Sequence, residues 1–224
     1  MRVLVACEFS GTVRRAFRAL GHDAWSCDLL SAEDYSSYHI EADVLNVLER
    51  KWDLMIAHPP CTFLTVAANK WMKPEFASRF PTRPQDREAA VEFFMALMNA
   101  PVERICVENP IGIMSSRYRQ PDQVVQPWMF GHGETKATCF WLKRLRPLAP
   151  THLPHDMFAA PEPQEREQRL HKLPPSKDRW KLRSTTFPGI AEAMADQWGG
   201  LLDAGAKSRP GGELSLASPP LQAA

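Results

Sequence analysis

The sequence predicts an α/β domain built around a mostly parallel sheet with helices on both faces. Short apolar runs of strand length alternate along the chain with segments whose apolar residues recur at helical spacing. This alternation is typical of parallel sheets, because each parallel strand needs a crossover that a helix supplies. The 224 residues suffice for one domain and are few for two. We expect a single domain over residues 1–205 and a disordered tail over 206–224, which is rich in Gly, Ser, Pro and Ala.

The individual elements can be placed in chain order. Residues 3–7 form an apolar, β-branched run that suits a buried strand. Residues 12–20 place their apolar side chains on one helical face, and Gly21 ends that helix. The same patterns predict strands over 24–27, 53–57, 104–107 and 138–142, and helices over 87–99 and 190–202.

Composition and charge argue against several classes of protein. The formal net charge is +1, and no apolar run approaches the roughly 20 residues that a membrane span needs. The N-terminus lacks the long apolar stretch of a signal peptide, so we expect a cytoplasmic location. The five cysteines are odd in number and include no Cys-x-x-Cys pair, which indicates neither a disulfide framework nor a metal site.

The segment over residues 147–183 is rich in Pro, Gln, Glu and Arg and is expected to be an irregular insertion. From Arg166 to Arg183 it carries seven Lys or Arg residues against two acids, Glu167 and Asp178. A surface that faces nucleic-acid phosphates needs such an excess of positive charge. A solvated loop can carry the same excess, and both interpretations stay open.

Polar residues follow several predicted strands, and parallel sheets bind their ligands at that edge. Ser10 and Gly11 lie between the first strand and the first helix, where glycine lets the backbone approach a ligand and the helix N-terminus offers free N–H groups. Asp28 follows the second strand, where an acid commonly accepts hydrogen bonds from ribose hydroxyls. Asp43 is a further acid that could bind an adenine edge. These residues suggest a nucleoside cofactor, although turns and caps would also explain each one.

The most specific feature is the run His58-Pro59-Pro60-Cys61-Thr62, directly after a predicted strand. Each proline fixes its own φ, so the pair presents the next side chain rigidly. A thiolate is a strong nucleophile when its pKa is lowered. We therefore predict that Cys61 is a nucleophile, and the alternative is a structural loop cysteine. The other cysteines are expected to be small buried residues.

The run Glu108-Asn109-Pro110 follows another apolar strand. A carboxyl group at such a place can be partly desolvated, which would raise its pKa and let it hold a proton near neutrality. That group could hydrogen-bond a pyrimidine ring nitrogen and assist attack on the ring. The alternative is a structural role in a turn or cap.

Taken in chain order, three motifs resemble those of the cytosine-5 DNA methyltransferases. They are Phe9-Ser10-Gly11, Pro59-Pro60-Cys61 and Glu108-Asn109-Pro110, which are similar to the family's cofactor loop, nucleophile loop and Glu-Asn-Val loop. The resemblance covers the chain to about residue 145 and resumes near Ser184. Residues 126–142 and 186–190 are similar to the family's short phage-encoded and prophage-encoded branch.

The resemblance implies a Rossmann-like methyltransferase fold, S-adenosylmethionine as cofactor, DNA as partner, and a bacterial or phage-infected cell. It implies Cys61 and Glu108 as catalytic residues. The implied cofactor-binding residues are Phe9, Ser10, Gly11, Asp28, Asp43 and Pro59. The implied substrate-binding residues are Pro60, Asn109, Lys136 and Thr138.

The sequence also departs from the family pattern. Val13 stands where the cofactor loop usually has a second glycine, and Pro110 replaces the valine of the Glu-Asn-Val loop. The family's Gln-x-Arg-x-Arg motif has no clean copy here, and Lys136 and Thr138 are its nearest counterparts. Relatives carry a large target-recognition domain where this chain has about 45 residues. Target recognition is therefore expected to be short, relaxed or supplied by a separate partner chain.

By resemblance, Cys61 attacks C6 of cytosine, Glu108 protonates or hydrogen-bonds N3, and C5 takes the methyl group. The base must leave a DNA duplex for this chemistry, and Trp71, Lys73 and Arg79 are expected to help. One alternative is a pyrimidine C5-modifying enzyme that acts on free nucleotides or single strands. Another is a catalytically silent DNA-binding or protein-binding module on the same fold.

Overall fold

The computed structural model describes residues 1–152 and 169–200. Seven strands form one sheet in the order β3-β2-β1-β4-β5-β7-β6. The strands are β1 (Arg2–Ala6), β2 (Asp23–Asp28), β3 (His39–Glu41), β4 (Leu54–Ala57), β5 (Arg104–Pro110), β6 (Gln123–Val125) and β7 (Thr138–Lys143). The helices are α1 (Thr12–Ala19), α2 (Arg83–Met98), α3 (Met114–Arg117), α4 (Arg169–Lys172), α5 (Arg179–Ser184) and α6 (Pro188–Gly199).

The sheet is mostly parallel, which confirms the predicted α/β, Rossmann-like fold class. Strands β3, β2, β1, β4 and β5 pair in parallel, while β7 runs antiparallel to both β5 and β6. The order of the first five strands is that of a doubly wound nucleotide-binding sheet. The carboxyl ends of β1, β4 and β5 therefore meet at one edge.

Helices cover both faces of the sheet, as predicted. Alternate residues of β1 point to opposite faces, so Leu4 lies in one apolar cluster and Val3 in the other. Helix α2 packs on the first face through its buried residues Phe94, Leu97 and Met98. Helices α1 and α6 pack together on the second face, where Phe17 and Trp198 are fully enclosed.

Several elements differ from the sequence expectation. Helix α2 begins at Arg83 rather than at residue 87, because Pro84 fits within the first turn of a helix. Strand β5 continues to Pro110, because Glu108, Asn109 and Pro110 pair with the antiparallel strand β7. Glu108 thus lies inside the end of a strand and not in a loop after it.

Parts of three expectations lie outside the described residues: the tail over 206–224, the last residues of the helix expected over 190–202, and positions 153–168 of the expected insertion. The insertion's described residues contain the short helices α4 and α5. No helix among the described residues combines the length and apolar character needed to cross a bilayer.

Candidate active site

A cleft of about 600 Å³, partly open to solvent, lies at the carboxyl ends of β1, β4 and β5. It brings together eight of the predicted site residues: Phe9, Ser10, Pro59, Pro60, Cys61, Glu108, Asn109 and Lys136. Cys61 and Glu108 reach it from neighbouring parallel strands, β4 and β5.

Four predicted site residues do not line this cleft. Gly11 adopts φ 69°, and an added Cβ would lie 2.3 Å from Nη2 of Arg14, so the chain's own packing already requires glycine there. Asp28 accepts a hydrogen bond from the Leu30 amide at 3.0 Å, and Asp43 accepts one from Leu45 at 3.0 Å. Thr138 borders a second cavity of about 250 Å³, which His58, Glu108 and Lys136 also line.

Asp28 and Asp43 nevertheless act on the cleft electrostatically. Cys7 lines the cleft at the end of β1, and its backbone takes the left-handed conformation with φ 58°. Burial raises the pKa of Cys7, and the negative charges of Asp28 and Asp43 raise it further. The two carboxylates therefore lie near this end of the cleft, where the sequence predicted a cofactor-binding site.

The turn between β1 and α1 is held by Glu8, a residue that the sequence analysis did not single out. Its carboxylate accepts hydrogen bonds from the amides of Val13 at 2.7 Å and Arg14 at 3.2 Å. The side chain is buried, and burial raises the pKa of Glu8 while the charge of His58 opposes that effect. Two amide donors expected to be free for a ligand at the α1 N-terminus are thus already occupied.

Hydrogen bonds hold the loop that carries Cys61 on both sides of this residue. The His58 amide donates to the Ala6 carbonyl at 2.9 Å, which continues the contact between β4 and β1. The Asn109 side-chain amide donates to the Pro59 carbonyl at 3.1 Å. After the nucleophile position, the Leu64 amide donates back to the Cys61 carbonyl at 3.0 Å. The local chain thus fixes where the Cys61 side chain enters the cleft.

The electrostatic surroundings of Cys61 differ from the expected lowered pKa. Burial raises the pKa of the thiol, and the negative charge of Glu108 raises it further. The positive charges of Lys136 and Arg183 act in the opposite direction without outweighing these effects. The ligand-free thiol is therefore less ionised at neutral pH than an ordinary cysteine.

Glu108 also differs from expectation. Burial raises its pKa, as predicted, but a hydrogen bond from His58, the charge of His58 and the charge of Lys136 together lower the pKa below its usual value. Nδ1 of His58 lies 2.6 Å from Oε2 of Glu108. The carboxyl group is therefore ionised at neutral pH in the ligand-free protein.

The cleft lining includes residues that were not predicted individually as site residues, among them Glu8, His58, Arg183, Ser184, Thr185 and Thr186. His58 could have been predicted as a site residue, because it is a polar residue directly after a strand and belongs to the same run as Cys61. Arg183 belongs to the basic run, and its place in the cleft favours a ligand-facing role for that end of the run. Arg169, which lies earlier in the same basic run, forms an ion pair with Glu134 at 2.8 Å.

An aromatic and cationic surface follows the Cys61 loop. We call it the aromatic patch and define it as Phe63, Lys70, Trp71, Phe76, Phe80 and Arg83. The Trp71 ring contacts Phe76 at 5.0 Å and Phe80 at 5.5 Å between centroids. The Lys70 ammonium and the Arg83 guanidinium lie over aromatic rings at 5.2 Å. Lys73 and Arg79, which the sequence analysis named with Trp71, are exposed beside it.

The described residues contain no group of three or more His, Cys, Asp or Glu side chains placed to hold a metal ion.

Comparison with protein-family models finds no match, and comparison with curated proteins finds none either. Among solved structures, the chain is similar to a proposed DNA modification methyltransferase encoded within a prophage of E. coli. The two share 14% identity with a TM-score of 0.42 over 63% of this chain and 46% of the other, so this chain spans less than half of that protein's length.

Proposed function

We propose that the protein methylates C5 of cytosine in DNA with S-adenosylmethionine as the methyl donor. One observation carries the proposal: Cys61 and Glu108 line one cleft, delivered by adjacent parallel strands. Attack on C6 of a pyrimidine needs a nucleophile near the ring plane and a proton donor at N3. A cysteine and a carboxyl group from neighbouring strand ends supply this pair.

Different cleft residues have different roles in the attack on C6 of cytosine. Cys61 supplies the nucleophile, and the positive charges of Lys136 and Arg183 favour its thiolate form. Glu108 faces N3, where negative charge develops as the thiolate bonds to C6. Asn109 holds the nucleophile loop against β5 through its hydrogen bond to the Pro59 carbonyl, and Pro60 lines the cleft next to Cys61.

The residues at the β1 and β2 ends fit a nucleoside cofactor beside this pair. Phe9 and Ser10 line the cleft, and the carboxylates of Asp28 and Asp43 lie near its Cys7 end. Aromatic rings and carboxylates are suited to a purine face and to ribose hydroxyls. When bound, S-adenosylmethionine supplies an electrophilic methyl group. Because Glu8 caps α1, we propose that the cofactor's carboxylate finds partners elsewhere in the cleft.

The aromatic patch and its exposed cations are the proposed DNA contact. Extruding a base costs a few kcal/mol, and aromatic stacking and phosphate contacts offset part of that cost. Residues 64 and 65 bond directly to the Cys61 carbonyl, so DNA held on the patch would lie next to the nucleophile.

The test is methyl transfer from labelled S-adenosylmethionine to duplex DNA, single-stranded DNA and dCMP, with Cys61→Ser measured in parallel. Cys139→Ser is the matched control, because Cys139 is buried in β7 away from the cleft lining. We expect label in 5-methylcytosine with the wild-type and control proteins and none with Cys61→Ser.

Other outcomes decide between the remaining functions. Label on dCMP alone would replace the proposal with a nucleotide C5-modifying enzyme, for which Lys136 and Arg183 offer a phosphate site. Cofactor binding without label on any substrate would favour the silent DNA-binding or protein-binding module. Activity that appears only after a cell extract is added would point to a separate specificity partner.

A further inference from the structure

His58 and Glu108 form a buried pair beside the nucleophile. Nδ1 of His58 lies 2.6 Å from Oε2 of Glu108, and only 9% and 12% of the two side chains are exposed. A separation this short is typical of a hydrogen bond in which one partner is charged. His58 directly follows β4, and Glu108 lies near the carboxyl end of the neighbouring parallel strand β5.

The imidazole ring has one hydrogen-bond partner within the described residues. Its second nitrogen, Nε2, is buried and bonds to nothing there. The His58 amide donates to the Ala6 carbonyl at 2.9 Å, which fixes the backbone from which the ring projects. A proton on Nδ1 consequently faces Glu108, which lines both the main cleft and the smaller cavity.

We propose that His58 supplies, through Glu108, the proton that reaches N3 of cytosine when Cys61 attacks. This inference rests on the proposed function and deepens it by adding a positioning residue. His58 does not touch the substrate in this scheme. It fixes the orientation of Glu108 and holds the proton that the carboxylate passes on.

The step balances in atoms and charge. The Cys61 thiolate donates an electron pair to C6, the C5–C6 π pair moves to C4–C5, and the C4–N3 π pair moves to N3. N3 takes a proton from Glu108 as the carboxylate takes one from Nδ1 of His58, which becomes neutral imidazole. After C5 has accepted a methyl group, water takes the C5 proton, the C5–H electron pair re-forms the C5–C6 double bond, and Cys61 leaves C6 as thiolate. N3 then returns its proton along the same path.

Several charged groups surround the pair of His58 and Glu108. Glu8 after β1 interacts with the His58 charge, and Glu108 on β5 carries the direct hydrogen bond. Lys136 before β7 lowers the pKa of Glu108, and Cys7, Cys61 and Arg183 are the other ionisable groups lining the cleft. Because the pKa of Glu108 lies below its usual value, the carboxyl group does not carry its own proton at neutral pH. It needs a donor, and His58 is in contact with it.

The test uses His58→Asn in the full-length protein. Asn keeps an N–H donor near the place of Nδ1, so Glu108 stays oriented, but an amide cannot give up its proton. We expect kcat for DNA methylation at pH 8 to fall about 100-fold, in line with general acid catalysis. KM for DNA should change less than about twofold. The basic limb of the pH profile should move to lower pH, because Glu108 must then take its proton from solvent.

Equal kcat and an unmoved pH profile in a folded His58→Asn protein would overturn the relay and leave the proposed function intact. Wild-type protein that methylates no cytosine substrate at any pH would overturn both. If the variant does not fold, ¹⁵N-histidine NMR of the wild-type protein decides the point. Protons on both ring nitrogens of His58 at the pH of activity support the relay, and a neutral ring overturns it.

Discussion

The Asn109 side-chain amide donates a hydrogen bond to the Pro59 carbonyl at 3.1 Å, which joins the end of β5 to the loop that presents Cys61. Asn109 is 1% exposed, and its own Oδ1 has no partner among the described residues. Asn109→Ala should cost about 1–3 kcal/mol of unfolding free energy, because the Pro59 carbonyl is left buried and unpaired. Urea denaturation measures this, with the exposed Asn99→Ala as control. Equal losses in the two variants would contradict a bridging role for Asn109.

Charge on either side of Cys61 should control its reactivity. Glu108→Gln removes a negative charge that raises the pKa of Cys61, and Lys136→Met removes a positive charge that lowers it. At pH 7.5 we expect alkylation by iodoacetamide to become about 3- to 10-fold faster in the first variant, since one pKa unit changes the thiolate fraction about tenfold. The second variant should be slower than wild type. Peptide mass spectrometry follows each cysteine, and Cys7, whose pKa depends on Asp28 and Asp43, should not respond.

Gly112 is required by a close approach between the nucleophile loop and the chain after β5. A Cβ at this position would lie 2.0 Å from the Leu64 carbonyl oxygen, which accepts a hydrogen bond from the Ile113 amide at 2.8 Å. Gly112→Ala should lower stability by about 1–3 kcal/mol and reduce activity further by displacing the Cys61 loop. Gly133→Ala is the matched control, because nothing lies within 4 Å of its added Cβ. A thermal melt of Gly112→Ala like that of the control would refute this role.

The ion pair between Arg14 and Asp34 should make stability depend on pH. Burial raises the pKa of Asp34, but hydrogen bonds from Arg14 and Arg15 outweigh it, so the folded-state pKa is lowered. The stabilisation is therefore present above the unfolded pKa of about 3.9 and is lost as pH falls through the lower folded-state value.

Asp34→Asn should cost about 2–4 kcal/mol at pH 7, because the Arg14 side chain is 1% exposed and would stay charged without a carboxylate partner. The loss relative to wild type should shrink below pH 4 or so. Glu103→Gln, which breaks the exposed pair with Arg144, should cost no more than about 1 kcal/mol. Urea midpoints measured from pH 7 to pH 3 test both statements, and a constant difference across that range would exclude the pH linkage.

Charge reversal beside the aromatic patch should weaken DNA binding. Lys73→Glu with Arg79→Glu removes two exposed cations next to Trp71. We expect the slope of log K against log salt to become shallower by about 2 for duplex DNA, since each phosphate contact contributes about 0.9. Lys51→Glu is the control, because Lys51 precedes β4 at the edge of the sheet opposite the cleft. An unchanged slope in the double variant would argue against this surface as the DNA contact.

The main sheet could be predicted from the sequence because its inner strands are continuous apolar runs. Strands β3 and β6 escaped prediction, since three residues give no usable pattern and pairing with neighbours defines them. Cys61 and Glu108 could be predicted as neighbours, because each sits at the end of a buried strand. The pair of His58 and Glu108 could not, since the two residues are 50 positions apart and their contact depends on strand order and side-chain rotamers.

The pKa expectations for Cys61 and Glu108 failed for a related reason. The sequence shows that a carboxyl group follows an apolar strand, which supports desolvation alone. It does not show that His58 and Lys136 lie against that carboxyl group and that their effect exceeds the effect of burial. Likewise, the glycine at position 11 suggested space for a ligand, whereas the three-dimensional packing fills that space with Arg14 and Asp34.

Glu8 gives the turn after β1 an internal hydrogen-bond acceptor. Because its carboxylate already binds the Val13 and Arg14 amides, the turn does not need an incoming ligand to satisfy them. A turn that is ordered in advance loses little conformational entropy when a ligand arrives, so more of the contact energy remains as affinity. Recognition at this end of the cleft therefore depends on shape and on the carboxylates of Asp28 and Asp43. A negatively charged ligand group gains little here from the helix N-terminus, because two of its amides already have an acceptor.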